Sequence, residues 1–249
     1  DLSGNTLNEL PKGIGSLTNL KRLGCQGNVL ESLPSSIQDL KQLEVLSVRE
    51  NQLMDLPEEI GELEALETLD VGYNQLTSLP ISLENLRILK ELDIQHNAVE
   101  SLPTGIDKLG ELAKLTLNDN QLSTLPPEVE TLTNLTQLNL SHNPLDSLTN
   151  IWSLTKLREL HLENTNLGEL PPEISALSSL EVLNIASNKL TRLPPELINL
   201  QKLTYINAEK NKLTELDERL GTLEKLKRIN AKDNNIEDIP EELDRVTVR

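Results

Sequence analysis

The side chains in this sequence able to do chemistry are few, and their spacing decides what they can do. The single cysteine, Cys25, and the three histidines, His96, His142 and His161, are the candidate nucleophile, bases and metal ligands. His161 is the best placed, with Glu159 and Glu163 two residues away on either side. In an extended strand such residues share one face at ~6.6–6.8 Å spacing, and imidazole with carboxylate can hold a divalent cation. The residues expected on the adjoining strands, however, are Gln137, Asn139 and Asn184. These are amides, so the reading is a polar contact patch and no metal site.

Catalytic arrangements are equally incomplete. A Ser-His-Asp set needs convergent side chains in a pocket that excludes water, and a smooth sheet surface offers none. Gly105 and Gly110 have the spacing of a phosphate loop, but Glu111 and Leu112 stand where that loop needs Lys and then Ser or Thr. Cys25 occupies an apolar slot and reads as a small buried hydrophobe, inert as a nucleophile. His96 and His142 each precede an asparagine at a strand end, an exposed position that suits polar residues. The glycosylation patterns at Asn134 and Asn139 are short and common, and a sugar on Asn139 would block the predicted binding face. No catalytic residue and no cofactor are expected, and the chain by itself is not expected to be an enzyme.

The elements that position these residues come from a repeat. Asn5, Asn28, Asn51, Asn74, Asn97, Asn120 and Asn143 are each 23 residues apart; Thr165 follows after 22, and Asn188, Asn211 and Asn234 resume at 23. One unit runs Leu43, Leu46, Val48, Asn51, Leu53, Leu56, Pro57, Ile60, Leu63, and Leu66 opens the next. The leucine alternation has period two and predicts a short strand with one buried face. Stacked copies pair these strands into a parallel sheet. Each Asn follows a strand where the chain turns, and its side chain both donates and accepts. A ladder of Asn28, Asn51, Asn74, Asn97, Asn120, Asn143, Asn188, Asn211 and Asn234 is therefore expected to bond the backbone of neighbouring coils. Leu-Pro fixes φ and removes a donor, and the spacing of three that follows suits a short helical or 3-10 turn. No unit buries its apolar face alone, so stability comes from neighbours.

The pattern resembles the leucine-rich-repeat family over essentially the whole chain. Its 23-residue L-P-x-x-I version is similar to Ras-pathway scaffolds, plant Ras-group proteins, Scribble-like polarity proteins and many bacterial repeat proteins. The resemblance implies an α/β solenoid with a concave parallel sheet and turns and loops on the convex side. It also implies protein binding on the concave face. That makes the chain a protein–protein interaction module or scaffold, in one setting an intracellular signalling one. Two alternatives are the recognition part of a larger enzyme, such as a bacterial ubiquitin-ligase effector or a repeat-bearing kinase, and a structural or surface bacterial repeat protein.

Composition agrees with thin aliphatic layers: Phe is absent, and there are one Trp and two Tyr in 249 residues. The net charge of −17 disfavours nucleic acid, whose phosphates need cationic neutralisation, and an anionic membrane surface. No apolar run approaches the ~18–20 residues that span a bilayer. With one cysteine and no cysteine-rich caps, a cytoplasmic setting is expected. Residues 1–249 read as one domain of about eleven repeats, expected to be a fragment of a longer protein because the chain opens mid-repeat at Asp1.

The working surface follows from the strand register. The partner-binding residues are predicted to be Asp70, Glu91, Asp93, Gln95, Lys114, Thr116, Asn118, Gln137, Asn139, Glu159, His161 and Glu163, all facing concave solvent. Charge is uneven: residues 61–180 carry a balance of −12 and residues 181–249 of −1. The acidic centre around Asp70, Glu91 and Asp93 would steer a protein with a basic surface; the simpler reading is a solvated face that keeps the array soluble. Two departures stand out. Between Asn143 and Thr165, Leu148-Thr149-Asn150-Ile151 replaces L-P-x-x-I, and Trp152 occupies the slot that is Gly15, Gly61 and Gly221 elsewhere. At the end of the chain, Leu243 and Val246 fit the pattern, and Arg249 falls in the next leucine slot.

Overall fold

The computed structural model describes residues 1–249. Each leucine alternation forms a strand of three residues: β1 (Arg22–Gly24), β2 (Val45–Ser47), β3 (Thr68–Asp70), β4 (Glu91–Asp93), β5 (Lys114–Thr116), β6 (Gln137–Asn139), β7 (Glu159–His161), β8 (Val182–Asn184), β9 (Tyr205–Asn207) and β10 (Arg228–Asn230), followed by the two-residue β11 (Thr247–Val248). They form one open parallel sheet in chain order, β1 to β11. The same slot pairs with itself: Leu46 with Leu69, Leu69 with Leu92, and Leu138 with Leu160. The 22-residue step before Thr165 is therefore absorbed outside the sheet.

The convex side is built from 3-10 turns. Pro57 stands extended at φ −68° and ψ 148° and leads directly into Glu58–Glu62, and its carbonyl accepts the Ile60 N–H at 3.0 Å. Asp217 takes the proline slot once, and there its carboxylate accepts the Arg219 N–H at 2.9 Å, a side-chain cap in place of a fixed ring. Gly61 allows close stacking, since a Cβ there would collide with the Ser82 carbonyl oxygen of the next coil. The irregular unit has no 3-10 turn between residues 132 and 171, and Trp152 packs half-buried against the core in the gap that leaves.

The aliphatic slots form one continuous cluster of 69 buried residues, so no coil owns a private core. Fully burying each Leu or Ile is worth roughly 1.5–3 kcal/mol, and most of that burial is against the coils on either side. Cys25 lies within this cluster, and burial pushes its thiol pKa up.

Asparagines join the coils on the strand-end side. Asn51 Oδ1 accepts the Leu30 N–H at 2.9 Å, and its Nδ2 donates to the carbonyls of Cys25 in the preceding coil (3.0 Å) and Val48 in its own (2.9 Å). Asn28, Asn74, Asn97, Asn120, Asn143, Asn188, Asn211 and Asn234 repeat this geometry. The residue before each ladder position takes a left-handed backbone, as in Glu50 (φ 55°), His96 (φ 50°) and His142 (φ 57°). Gly4 and Gly27 at the same slot, both at φ 66°, were the sequence signal for it.

One register differs from the sequence pattern. The period of 23 puts Arg249 in the slot of Leu226, whereas the chain already pairs Val248 with Ile229, four residues ahead of the period. The last convex turn is only three residues, Glu241–Leu243, so the chain reaches the sheet early. Arg245 occupies the space this leaves, donating to the carbonyls of Gly221 and Leu223, each at 2.6 Å.

Candidate partner-binding face

The last residue of each three-residue strand faces the concave side, and in most coils it serves the backbone before it serves a partner. Asp70 Oδ1 accepts the N–H of Gly72 at 3.2 Å, Asp93 Oδ1 that of Gln95 at 3.0 Å, and Asn139 Oδ1 that of Ser141 at 3.1 Å. Asn184, Asn207 and Asn230 do the same for the residue two further on. Strand twist turns this N–H out of the ladder, and an Asp or Asn oxygen two residues earlier meets it. Sequence reasoning read this column as contact surface only; the run of Asp and Asn at a fixed slot was the available signal.

Nine of the predicted residues line one depression of about 340 Å³ between β4 and β7: Asp93, Gln95, Lys114, Thr116, Asn118, Gln137, Asn139, Glu159 and His161. Asp70, Glu91 and Glu163 lie outside it. Thr116 and Asn118, expected in open solvent, are buried at 8% and 9% exposure, as is Ser141. Their short side chains form the floor while longer neighbours make the walls. Asn139 Nδ2 donates to Asn118 Oδ1 at 3.0 Å, and Gln137 Nε2 to Glu159 at 3.0 Å. His161 Nε2 lies 3.6 Å from Glu159, whereas Glu163 turns away to accept Asn184 Nδ2 at 3.1 Å. The three residues that sequence spacing placed on one side thus divide between two partners, and no group of three or more His, Cys, Asp or Glu side chains is arranged to hold a metal ion.

The acidic centre carries an internal counter-ion. Arg49 Nη1 reaches Asp70 at 3.9 Å and Asp93 at 3.7 Å. Burial pushes the Asp70 pKa up, and the like charge of Asp93 adds to this against the Gly72 N–H, which opposes it. The Arg49 guanidinium also lies 4.3 Å from the centre of the Tyr73 ring, whose other neighbour is the stacked His96 imidazole at 4.0 Å. His96 Nε2 in turn lies 3.3 Å from Asp119. Tyr73 is an exposed aromatic, and the sequence reading passed over it because it stands in the left-handed slot, outside the slots of the predicted contact residues. Glu91 and Lys114 are exposed, and neither has an ion-pair partner within 4 Å.

This architecture is that of a leucine-rich-repeat solenoid, and comparison with known proteins agrees. A family model described as a leucine-rich repeat region matches residues 46–147 and 141–248. The chain belongs to the leucine-rich-repeat family. Among solved structures, it is similar to a leucine-rich-repeat protein of Leptospira interrogans, at 32% identity and TM-score 0.89 over 98% of this chain and 70% of that one. The functional domain of InlJ from Listeria monocytogenes, described as including a cysteine ladder, matches at 26% identity and TM-score 0.82, over 95% of this chain and 49% of that one. The plant peptide hormone receptor RGFR1, solved in complex with RGF2, matches at 26% identity and TM-score 0.71, over 98% of this chain and 49% of that one. The chain therefore spans 70% of the first and about half of the other two. No curated protein sequence shows significant similarity. No helix is long and apolar enough to cross a membrane.

Proposed function

We propose that this chain is a protein-binding module that seats its partner on the concave sheet, centred on β4 to β7. The observation that carries this is the depression between those strands, where nine polar side chains converge on a floor already fixed by hydrogen bonds. A surface ordered before binding loses little entropy when a partner arrives. Tyr73, clamped between Arg49 and His96, offers a rigid aromatic anchor beside it. Glu91 and the partly neutralised Asp70–Asp93 pair favour a partner with a basic segment at this end. Peptide or protein recognition by a receptor of the same fold supports the reading. So does membership of a repeat family whose fold serves as a binding scaffold. We further propose an intracellular scaffold or signalling role, supported by a composition with one buried cysteine. The likeness to a Leptospira repeat protein favours a bacterial repeat protein as the second reading.

Affinity purification with mass spectrometry tests the proposal directly. Wild type is compared with Tyr73→Ala and Gln137→Lys on the concave side and Glu130→Lys on the convex side. Loss of the same partner in both concave variants, with retention in the convex one, supports the assignment. Equal recovery in all four overturns it.

A further inference from the structure

The Asp or Asn oxygen that accepts the strand-end N–H is absent in four coils, where the last strand residue is Gly24, Ser47, Thr116 or His161. At His161 the N–H of Glu163 finds Ser141 Oγ of the preceding coil, at 3.2 Å. Only in the Thr116 coil are both the last strand residue and the residue two further on buried, at 8% and 9% exposure. No group of the protein accepts the Asn118 N–H, and the Thr116 hydroxyl makes no hydrogen bond. A buried donor without a partner is costly; the Asn118 N–H is one, and the Thr116 hydroxyl, open to solvent and unpaired, lies beside it on the floor of the depression. Beside them the exposed Lys114 ammonium has no ion pair within 4 Å, while both nearby carboxylates are engaged, Asp93 by Gln95 and Glu159 by Gln137.

We propose that this floor is a carboxylate subsite, in which an aspartate or glutamate side chain of the bound protein places one oxygen where Asp93 and Asn139 place theirs in the adjoining coils. That oxygen accepts from the Asn118 N–H and the Thr116 hydroxyl, and the second faces Lys114. Three convergent donors, one cationic, favour an ionised acceptor over a neutral one. A basic residue against Glu91 and an acidic one on Thr116, one strand over and two residues further along, about 8 Å away on the diagonal, would set the partner's register. The inference deepens the concave-face reading and rests on it.

The experiment is an amide NMR titration of the full chain with sodium acetate against sodium chloride at matched ionic strength, with acetamide as the neutral probe. The expected result is a saturable downfield shift of the Asn118 amide proton with acetate, and binding of acetamide weaker by about tenfold. Thr116→Asn supplies the missing oxygen from the chain itself, so it abolishes the acetate shift while its melting temperature stays at or above wild type. Lys114→Gln, an exposed change that leaves the fold intact, weakens acetate by about tenfold. No saturation, equal binding of acetamide, or an unchanged response in both variants overturns the proposal. Because no partner is present in the titration, its failure is separate from failure of the concave-face reading, which partner recovery reports.

Discussion

Asn188 accepts the backbone N–H of Thr165 at 3.1 Å and that of Leu167 at 3.0 Å through the same Oδ1, and so covers for the one ladder slot that has no amide. The Thr165 hydroxyl donates to the Leu162 carbonyl of its own coil at 2.9 Å, with Asn188 Oδ1 of the following coil at 3.4 Å, and bonds nothing in the preceding coil. A regular ladder residue would also have accepted the Leu145 N–H, but the chain after Pro144 has turned that group onto the Asn143 carbonyl at 2.9 Å. The irregular unit is thus closed by local bonds, and Thr165 is fully buried within it. Asn120→Thr should lose about 1–3 kcal/mol, since it leaves the Val99 N–H without a partner and the Ile94 carbonyl with Asn97 alone of its two side-chain donors. Thr165→Asn should gain nothing. Urea denaturation of both variants checks this, and a stabilised Thr165→Asn would show that the slot is merely drifted.

The proline slot gives a second expectation. Asp217 holds φ −66°, its own N–H makes no backbone bond, and its carboxylate caps Arg219. Asp217→Ala loses the cap and should cost about 1 kcal/mol. Asp217→Pro restores the ring of the other coils and should recover roughly 0.4–1 kcal/mol through the unfolded chain. The Arg219 hydrogen bond holds the Asp217 pKa below its ordinary value, so its contribution is present above the unfolded pKa of about 3.9 and is lost as pH falls through the depressed value. Thermal melts at pH 7 and pH 2.5 should show both variants losing less on acidification than wild type.

Asp70 runs the other way. Burial raises its folded pKa, so the folded state binds the proton more tightly than the unfolded one. Ionisation then subtracts stability as pH rises from about 3.9 through the raised value, and the penalty is complete above it. Asp70→Asn keeps an oxygen for the Gly72 N–H and removes the charge, as Asn139, Asn184 and Asn207 do at the same slot. It should be more stable than wild type at pH 7 and equal to it at pH 3. Equal midpoints at both pH values would mean that Arg49 already compensates the charge in full.

What the sequence made legible was whatever repeats with a period of 23. The aliphatic slots, the strand positions, the ladder asparagines and the turn after Leu-Pro each follow from one residue type recurring where stacking needs it. Features created by one coil meeting another in three dimensions were not legible. The Arg49–Tyr73–His96 stack joins three coils, with Arg49 one slot before the left-handed slot that Tyr73 and His96 share. The buried floor at Thr116 and Asn118 depends on which neighbours are long, and the early arrival of Val248 on the sheet depends on a missing half-turn that no period announces. The predicted depression residues came out together because strand register alone sets neighbours in a parallel sheet. Their hydrogen bonds did not, because an Asn or Asp oxygen on the concave face can serve the backbone or a partner, and only geometry separates the two.

Arg245 carries the last expectation. Its guanidinium donates to the carbonyls of Gly221 and Leu223, each at 2.6 Å, and more distantly to Glu224 and Leu226, each at 3.4 Å. These carbonyls lie on the last full coil, where another complete convex turn would otherwise cover them. In a linear array such an end contact stabilises its own coil and the neighbour, and hardly the centre. Arg245→Ala should therefore speed amide exchange at Thr247 and Arg249, which hold β11 to the Lys227 and Ile229 carbonyls at 2.9 and 3.1 Å. The loss should be local, about 1–2 kcal/mol, with exchange in β4 to β6 unchanged. Exchange that rises equally along the whole sheet would mean that the array unfolds as one unit, and that Arg245 acts on the global equilibrium.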